Sequence, residues 1–166
     1  MGTLGLRPLT ALDLKRLVDR LAPWQGRRLC ELFAGKAPLS EAALRLGAES
    51  AFLVEIDPRQ AYLLKKKFHE YSRVKVWQLD FRIALKRIKD HGWEFDLIFV
   101  DPPFGEKLLA PAIRLVTELD LIVPGGYLVV KSFPTEWTEP GEGWELSFVK
   151  KHSDIWLGAW QRQGAQ

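Results

Sequence analysis

A carboxylate, two prolines and an aromatic ring stand in a row at Asp101-Pro102-Pro103-Phe104, directly behind the apolar run Phe95 to Val100. Asp101 can accept a hydrogen bond from an amino group, and prolines stiffen the backbone so that a carbonyl beside it is fixed as a second acceptor. Phe104 can stack on a flat ring. An amine conjugated to such a ring attacks poorly until its lone pair is turned out of conjugation, and two acceptors gripping its hydrogens favour that geometry. Held so, the nitrogen is placed for a direct displacement such as methyl transfer, where orientation supplies much of the rate. An acid before a proline turn is common after any strand, so the weight rests on the four residues together.

The elements that must position this tetrapeptide alternate between strand and helix. Thr10 to Leu21 carries apolar residues at Leu12, Leu14, Leu17, Val18 and Leu21, a helical spacing closed by Pro23. Arg28 to Phe33 reads as a strand, Ser40 to Leu46 as a helix stopped by Gly47, and Phe52 to Ile56 as a buried strand. Pro58 suits the first position of the next helix, which runs to about Tyr71. Val74 to Leu79 is a strand, Arg82 to Asp90 a helix, and Phe95 to Val100 a strand of the type buried in a parallel sheet. Leu108 to Leu119 is a helix, Gly125-Gly126 a turn, and Tyr127 to Lys131 a strand.

The tail changes period. Trp144, Leu146 and Phe148 alternate, as do Ile155, Leu157 and Ala159, which predicts an antiparallel hairpin appended to the parallel sheet. The expected fold is therefore α/β: a doubly wound, mostly parallel sheet of seven strands with one reversed edge element. Residues 1–24 form an entry segment with its helix, and residues 25–166 the main domain. In such sheets ligands bind beyond the carboxyl ends of the strands. Four strand ends are candidates: Ala34 to Ala37, Glu55 to Asp57, Asp80, and Asp101 to Phe104; three of them carry a carboxylate.

Composition narrows the setting. With 47% hydrophobic and 27% charged residues in 166, the chain is an ordinary globular domain, with no apolar run long enough to span a bilayer and no secretory pattern at its start. A cytoplasmic, monomeric protein without membrane partners is expected. Cys30 is the only cysteine, so no internal disulfide forms, and it is expected to be buried and inert. His69, His91 and His152 are scattered, which argues against a metal site. The net charge of +3 is mild, but Lys65, Lys66, Lys67, Arg73, Lys75, Arg82, Lys86 and Arg87 cluster, while Glu136, Glu139, Glu142 and Glu145 line a later loop. Such a basic surface suits a polyanion, or is simply the solvated side of two helices. Trp137, Trp144, Trp156 and Trp160 crowd the tail, where packing is the expected use for most and base stacking the alternative.

The segments "LCELFAGKAPLSEAAL", "FLVEIDPRQA" and "FDLIFVDPPF" resemble the RsmD-like methyltransferases, a class I family dependent on S-adenosylmethionine that modifies guanine N2 in small-subunit ribosomal RNA. The opening "RPLTALDLKRLVDRL" is similar to that family's entry segment, so the likeness covers nearly the whole chain from Arg7. The resemblance implies that Phe33, Ala34 and Gly35 pack against the methionine part of the cofactor. It implies that Glu55, with Ile56 beside it, holds the ribose hydroxyls, and that Asp80 and Phe81 meet the adenine. Asp101, Pro102, Pro103 and Phe104 match the catalytic clamp, with Asp101 also at the cofactor. Ribosomal RNA or an assembling small subunit is the implied partner, met by Arg7, Lys15, Arg16, Lys36, Lys65, Lys66 and Lys67.

Two features depart from the family pattern. The first loop usually reads Phe-Ala-Gly-Ser-Gly and here reads Phe33-Ala34-Gly35-Lys36-Ala37-Pro38, so a side chain stands where glycine eases close approach. Either Lys36 turns out to solvent or RNA, or the cofactor site is impaired. Relatives also often carry a basic hairpin before the Arg-Pro segment, whereas here only Met1 to Leu6 precede it. Alternatives therefore stay open: transfer to adenine or cytosine in DNA, transfer to a protein glutamine, or an RNA-binding relic of the fold.

Overall fold

A computed structural model of the chain describes residues 9–152 and 154–164. Five helices and seven strands follow in the order α1 (Ala11–Arg20), β1 (Arg28–Leu32), α2 (Pro38–Arg45), β2 (Ser50–Val54), α3 (Pro58–Lys67), β3 (Val74–Trp77) and α4 (Phe81–Asp90). Then come β4 (Phe95–Val100), α5 (Leu109–Glu118), β5 (Ile122–Ser132), β6 (Trp144–His152) and β7 (Ile155–Arg162). Local chemistry sets the helix starts. Thr10, Asp57 and Asp80 each accept a hydrogen bond from a backbone N–H of the first turn, capping α1, α3 and α4.

The strands form one sheet in the order β3-β2-β1-β4-β5-β7-β6. Strands β1 to β5 are parallel, and β7 runs antiparallel to both β5 and β6. The C-terminal hairpin is appended to the parallel sheet as the sequence suggested, and the reversed strand is its inner one. It lies between β5 and β6, and the edge strand β6 points the same way as β5. The burial pattern explains the order: β7 is buried through Leu157 to Trp160, whereas no residue of β6 is fully buried. The more apolar strand takes the inner place.

Alternation along the strands gives the sheet two apolar faces. On one, Leu29, Leu97, Phe99, Val129 and Leu157 pack against Leu17 and Val18 of α1 and Leu39 and Ala43 of α2. Leu64 of α3 and its C-cap Phe68 cover Ala51 and Leu53 on the same side. On the other, Cys30, Leu32, Ile98, Val100, Leu128 and Val130 meet Leu85 and Ile88 of α4 and Ile113 and Val116 of α5. Each of the leucines, isoleucines, valines and phenylalanines among them contributes roughly 1.5–3 kcal/mol by leaving water. Two charged residues break the apolar pattern, Glu31 on β1 and Lys131 on β5, and both are buried.

The Gly125-Gly126 turn is absorbed into β5 as an irregularity. Between the pairs Phe95–Ile122 and Leu97–Tyr127 the extra residues of β5 bulge out. Gly126 is required there, since a Cβ would lie 2.7 Å from Ile122 Cγ2 and 2.8 Å from the Asp96 carbonyl. The bulge sets the pairing of Tyr127 to Val130 with β4, and through it the height at which Lys131 meets the end of β4. Among the described residues, no helix is long and apolar enough to cross a membrane and no metal-binding cluster forms.

Candidate active site

β1 leads into α2 on one face and β4 into α5 on the other, so a crevice opens between their C-terminal ends. The loops expected to carry chemistry border this crevice or the neighbouring strand ends. Phe33 and Gly35 adopt positive φ, and Ala37 does so too, at φ 50° and ψ 52° with its methyl fully buried. The alanine keeps the left-handed backbone that a glycine would adopt freely, at a cost of about 1 kcal/mol. Beside Gly35 the space is open, with Phe33 O at 4.0 Å the nearest atom to an added Cβ. Lys36 is exposed, and its carbonyl accepts a hydrogen bond from Lys67 Nζ at 2.8 Å.

Glu55 stands immediately beyond β2 and braces this loop from the next strand. Its Oε1 accepts from the Gly35 N–H at 2.8 Å and its Oε2 from the Asp57 N–H at 3.0 Å. Each oxygen keeps acceptor capacity for a hydroxyl. Ile56, 60% exposed, presents an apolar surface beside it. Asp80 caps α4 through the Arg82 N–H at 2.8 Å and pairs with the Arg82 guanidinium at 3.2 Å. Phe81 is buried at 3% exposure, its ring 5.2 Å from that of Phe33. As the first residue of α4 it joins the core, with its ring against the Phe33 loop.

Asp101 follows Val100 directly, and both its oxygens lie 3.2 Å from Lys131 Nζ. Burial pushes the Asp101 carboxyl above its ordinary value, and the Lys131 charge and hydrogen bonds pull it part of the way back. Pro102 and Pro103 are half-buried and hand the chain to Phe104, 39% exposed. Phe104 has one neighbour above all: its ring centroid is 3.8 Å from that of Phe133. Glu136, in the 3₁₀ turn Pro134–Glu136, accepts from the N–H of Gly105 at 3.0 Å and of Lys107 at 2.8 Å. The loop behind the tetrapeptide is therefore tied down at two points.

Sequence reasoning missed Lys131 and Phe133, and it placed Glu136 only in an acidic loop. It missed Glu31 as well, whose Oε1 accepts from the Ser40 N–H at 2.7 Å and Oγ at 3.1 Å. Burial pushes Glu31 up to about 7, and the nearby Asp101 charge adds to this against the Ser40 hydrogen bonds and Lys67. A charged residue at an inward position of an apolar strand was the available signal for both Glu31 and Lys131.

The cationic residues expected to meet RNA separate. Lys15 and Arg16 are exposed on α1, with Lys15 Nζ 3.5 Å from Asp19. Lys65 and Lys66 are exposed on α3. Lys67 is drawn towards the first loop, 2.6 Å from Glu41, and braces Lys36 rather than standing free beside its neighbours. Arg7 lies outside the described residues. Trp160 is buried and Trp137 and Trp144 pack against the core, while Trp156 lies 5.5 Å from Trp137 under Lys151. Cys30 is buried, and burial pushes its thiol up.

The donor set fits S-adenosylmethionine. Glu55 offers acceptors for a diol, Gly35 leaves room beside the first loop, and Lys36 is exposed to solvent. The chain is similar to several known proteins. Ribosomal RNA small subunit methyltransferase D of Haemophilus influenzae is 29% identical over 150 residues, 86% of this chain and 76% of that protein. Among solved structures, yhhF of Escherichia coli matches with a TM-score of 0.83 at 23% identity, over 95% of this chain and 88% of that one. An RNA methyltransferase from Salinibacter ruber, in complex with S-adenosyl-L-homocysteine, matches at 0.68 and 19% identity, over 96% of each chain. The model of the family described as Conserved hypothetical protein 95 matches residues 5–157, and the chain belongs to that family, with the Rossmann-like fold of class I methyltransferases.

Proposed function

We propose that this protein transfers a methyl group from S-adenosylmethionine to the exocyclic amino nitrogen of a base in RNA, guanine N2 of small-subunit ribosomal RNA being the intended target. The observation that supports the reading is the position of Asp101-Pro102-Pro103-Phe104 directly beyond β4, whose neighbour β1 leads into the loop where Gly35 N–H is bound by Glu55. Names of relatives support the RNA substrate.

In this reading Glu55 holds the ribose, the Phe33-Ala34-Gly35 loop and Ile56 line the cofactor, and Asp80 meets the adenine with the acceptor capacity its cap leaves. When bound, the cofactor supplies a methyl on a positively charged sulfur, which keeps the C–S electrons as the N–C bond forms. Asp101 accepts a hydrogen bond from the target amine and, with a backbone carbonyl held by Pro102 and Pro103, turns the nitrogen lone pair towards that methyl. Phe104 stacks on the base. The methylated nitrogen releases one proton to solvent. Lys15, Arg16, Lys36, Lys65 and Lys66 meet phosphate.

The deciding experiment is transfer of tritiated methyl to small-subunit RNA, naked and in assembling particles, followed by nucleoside analysis. N2-methylguanosine is the expected product. Label in adenosine or cytidine would overturn the choice of base, and label in protein the choice of substrate class.

A further inference from the structure

Lys131 is an expensive residue for its position. It lies on β5 opposite Leu157 of β7, on the face that α1 covers, and is 6% exposed. An apolar side chain there would continue the run of Leu128, Val129 and Val130 and would avoid dehydrating an ammonium. The register shows what the lysine gains. Val100 of β4 pairs with Val130 of β5 in a parallel ladder, so the next residues, Asp101 and Lys131, stand side by side at the strand ends. The ammonium sits 3.2 Å from each carboxylate oxygen, a symmetric contact that fixes the plane of the carboxylate and leaves acceptor capacity on both oxygens.

We infer that Lys131 is a positioning residue for methyl transfer, holding the Asp101 carboxylate ionised and oriented so that it meets the target amine purely as an acceptor. The inference rests on the amine-clamp role proposed for Asp101. A protonated Asp101 would carry a hydrogen of its own and lose grip on the amine. Burial pushes it that way, and the Lys131 charge and hydrogen bonds oppose the push.

Behind Lys131, a cavity of about 480 Å³ opens between α1 and the β6–β7 hairpin. The charged and titratable groups facing Lys131 across it are Asp13 and Arg16 from α1, Lys150 and His152 from β6, and Asp154 from the turn. Asp13 and Lys150 pair with each other. Lys131 is therefore the group that joins the catalytic slot to this second space.

The test uses the full chain with Lys131→Met and Lys131→Arg, read by the pH dependence of methyl transfer under saturating cofactor. Lys131→Met is expected to lose about tenfold or more in kcat near pH 6, the share of one charge-assisted hydrogen bond, and to recover towards wild type as pH rises. Lys131→Arg should keep most of the activity at both ends. Carbon-13 titration of the Asp101 carboxyl should show its midpoint moving to higher pH in Lys131→Met. A loss of equal size at every pH, or an unmoved Asp101 titration, would overturn the inference. Asp101→Ala, which removes the acceptor, separates the two claims: full activity in that variant removes the amine clamp, while the carboxyl titration of the chain with Asp101 intact still reports what Lys131 does to it. If Lys131→Met fails to fold, Lys131→Gln takes its place with the same expected loss near pH 6 and the same upward move of the Asp101 midpoint, and the absence of either would overturn the inference.

Discussion

Glu55 and Gly35 are joined across two strands: the carboxylate at the end of β2 accepts the N–H of the loop after β1 at 2.8 Å. One side chain thereby fixes the backbone proposed to pack against the cofactor and offers its remaining lone pairs to a diol. Glu55→Ala should weaken S-adenosylmethionine binding by about tenfold to a hundredfold, the worth of hydrogen bonds to a charged group. Glu55→Gln, which keeps one acceptor, should fall between. Calorimetric titration checks both, and unchanged affinity in Glu55→Ala would remove the ribose assignment.

The loop after Phe104 depends on Glu136. Its carboxylate occupies the N–H groups of Gly105 and Lys107, and Phe133, three residues earlier, backs the Phe104 ring. Glu136→Ala should speed hydrogen exchange at these two amides and lower kcat/KM for RNA by about tenfold, with cofactor affinity retained. Phe104→Ala should do the same to kcat/KM without loosening the amides. Exchange measured by mass spectrometry on both variants separates loss of the stacking ring from loss of its support.

Glu31 gives the fold a pH dependence. Its carboxyl is raised from 4.5 to about 7 in the folded chain, chiefly by burial. The folded state then binds more protons than the unfolded one between those values, so stability is whole below about 4.5 and falls as pH rises to about 7. The cost of ionising it is on the order of 3 kcal/mol. Glu31→Gln can still accept from the Ser40 N–H but cannot ionise. Its melting temperature should gain on wild type steadily from pH 5 to about pH 8, and parallel curves would show that Glu31 is not the group responsible.

Ala37 tests the departure in the first loop. Its left-handed backbone costs about 1 kcal/mol, while its buried methyl and stiffer unfolded chain return a similar amount. Ala37→Gly should therefore change stability by less than about 1 kcal/mol, and cofactor affinity by less than about threefold because the methyl faces the core. Ala37→Val, β-branched at positive φ, should cost more than about 2 kcal/mol. Chemical denaturation and calorimetry read the two effects, and a large gain in affinity for Ala37→Gly would show that the alanine obstructs the site.

What the sequence determined by itself was everything carried by short periods and by strand ends. Apolar alternation and helical spacing located the strands and helices, and the carboxylates of Glu55, Asp80 and Asp101 fell where a doubly wound sheet opens. The tertiary structure alone decided which strands are neighbours and which polar groups lose their water. The β4–β5 register brings Lys131 to Asp101 across thirty residues of chain, the packing of α2 on β1 buries Glu31 against Ser40, and the greater apolarity of β7 puts it inside β6. The same packing takes Phe81 into the core and draws Lys67 back to the Lys36 carbonyl. Each of these depends on contacts between segments remote in sequence, and a local pattern carries no record of the distance at which two side chains finally meet.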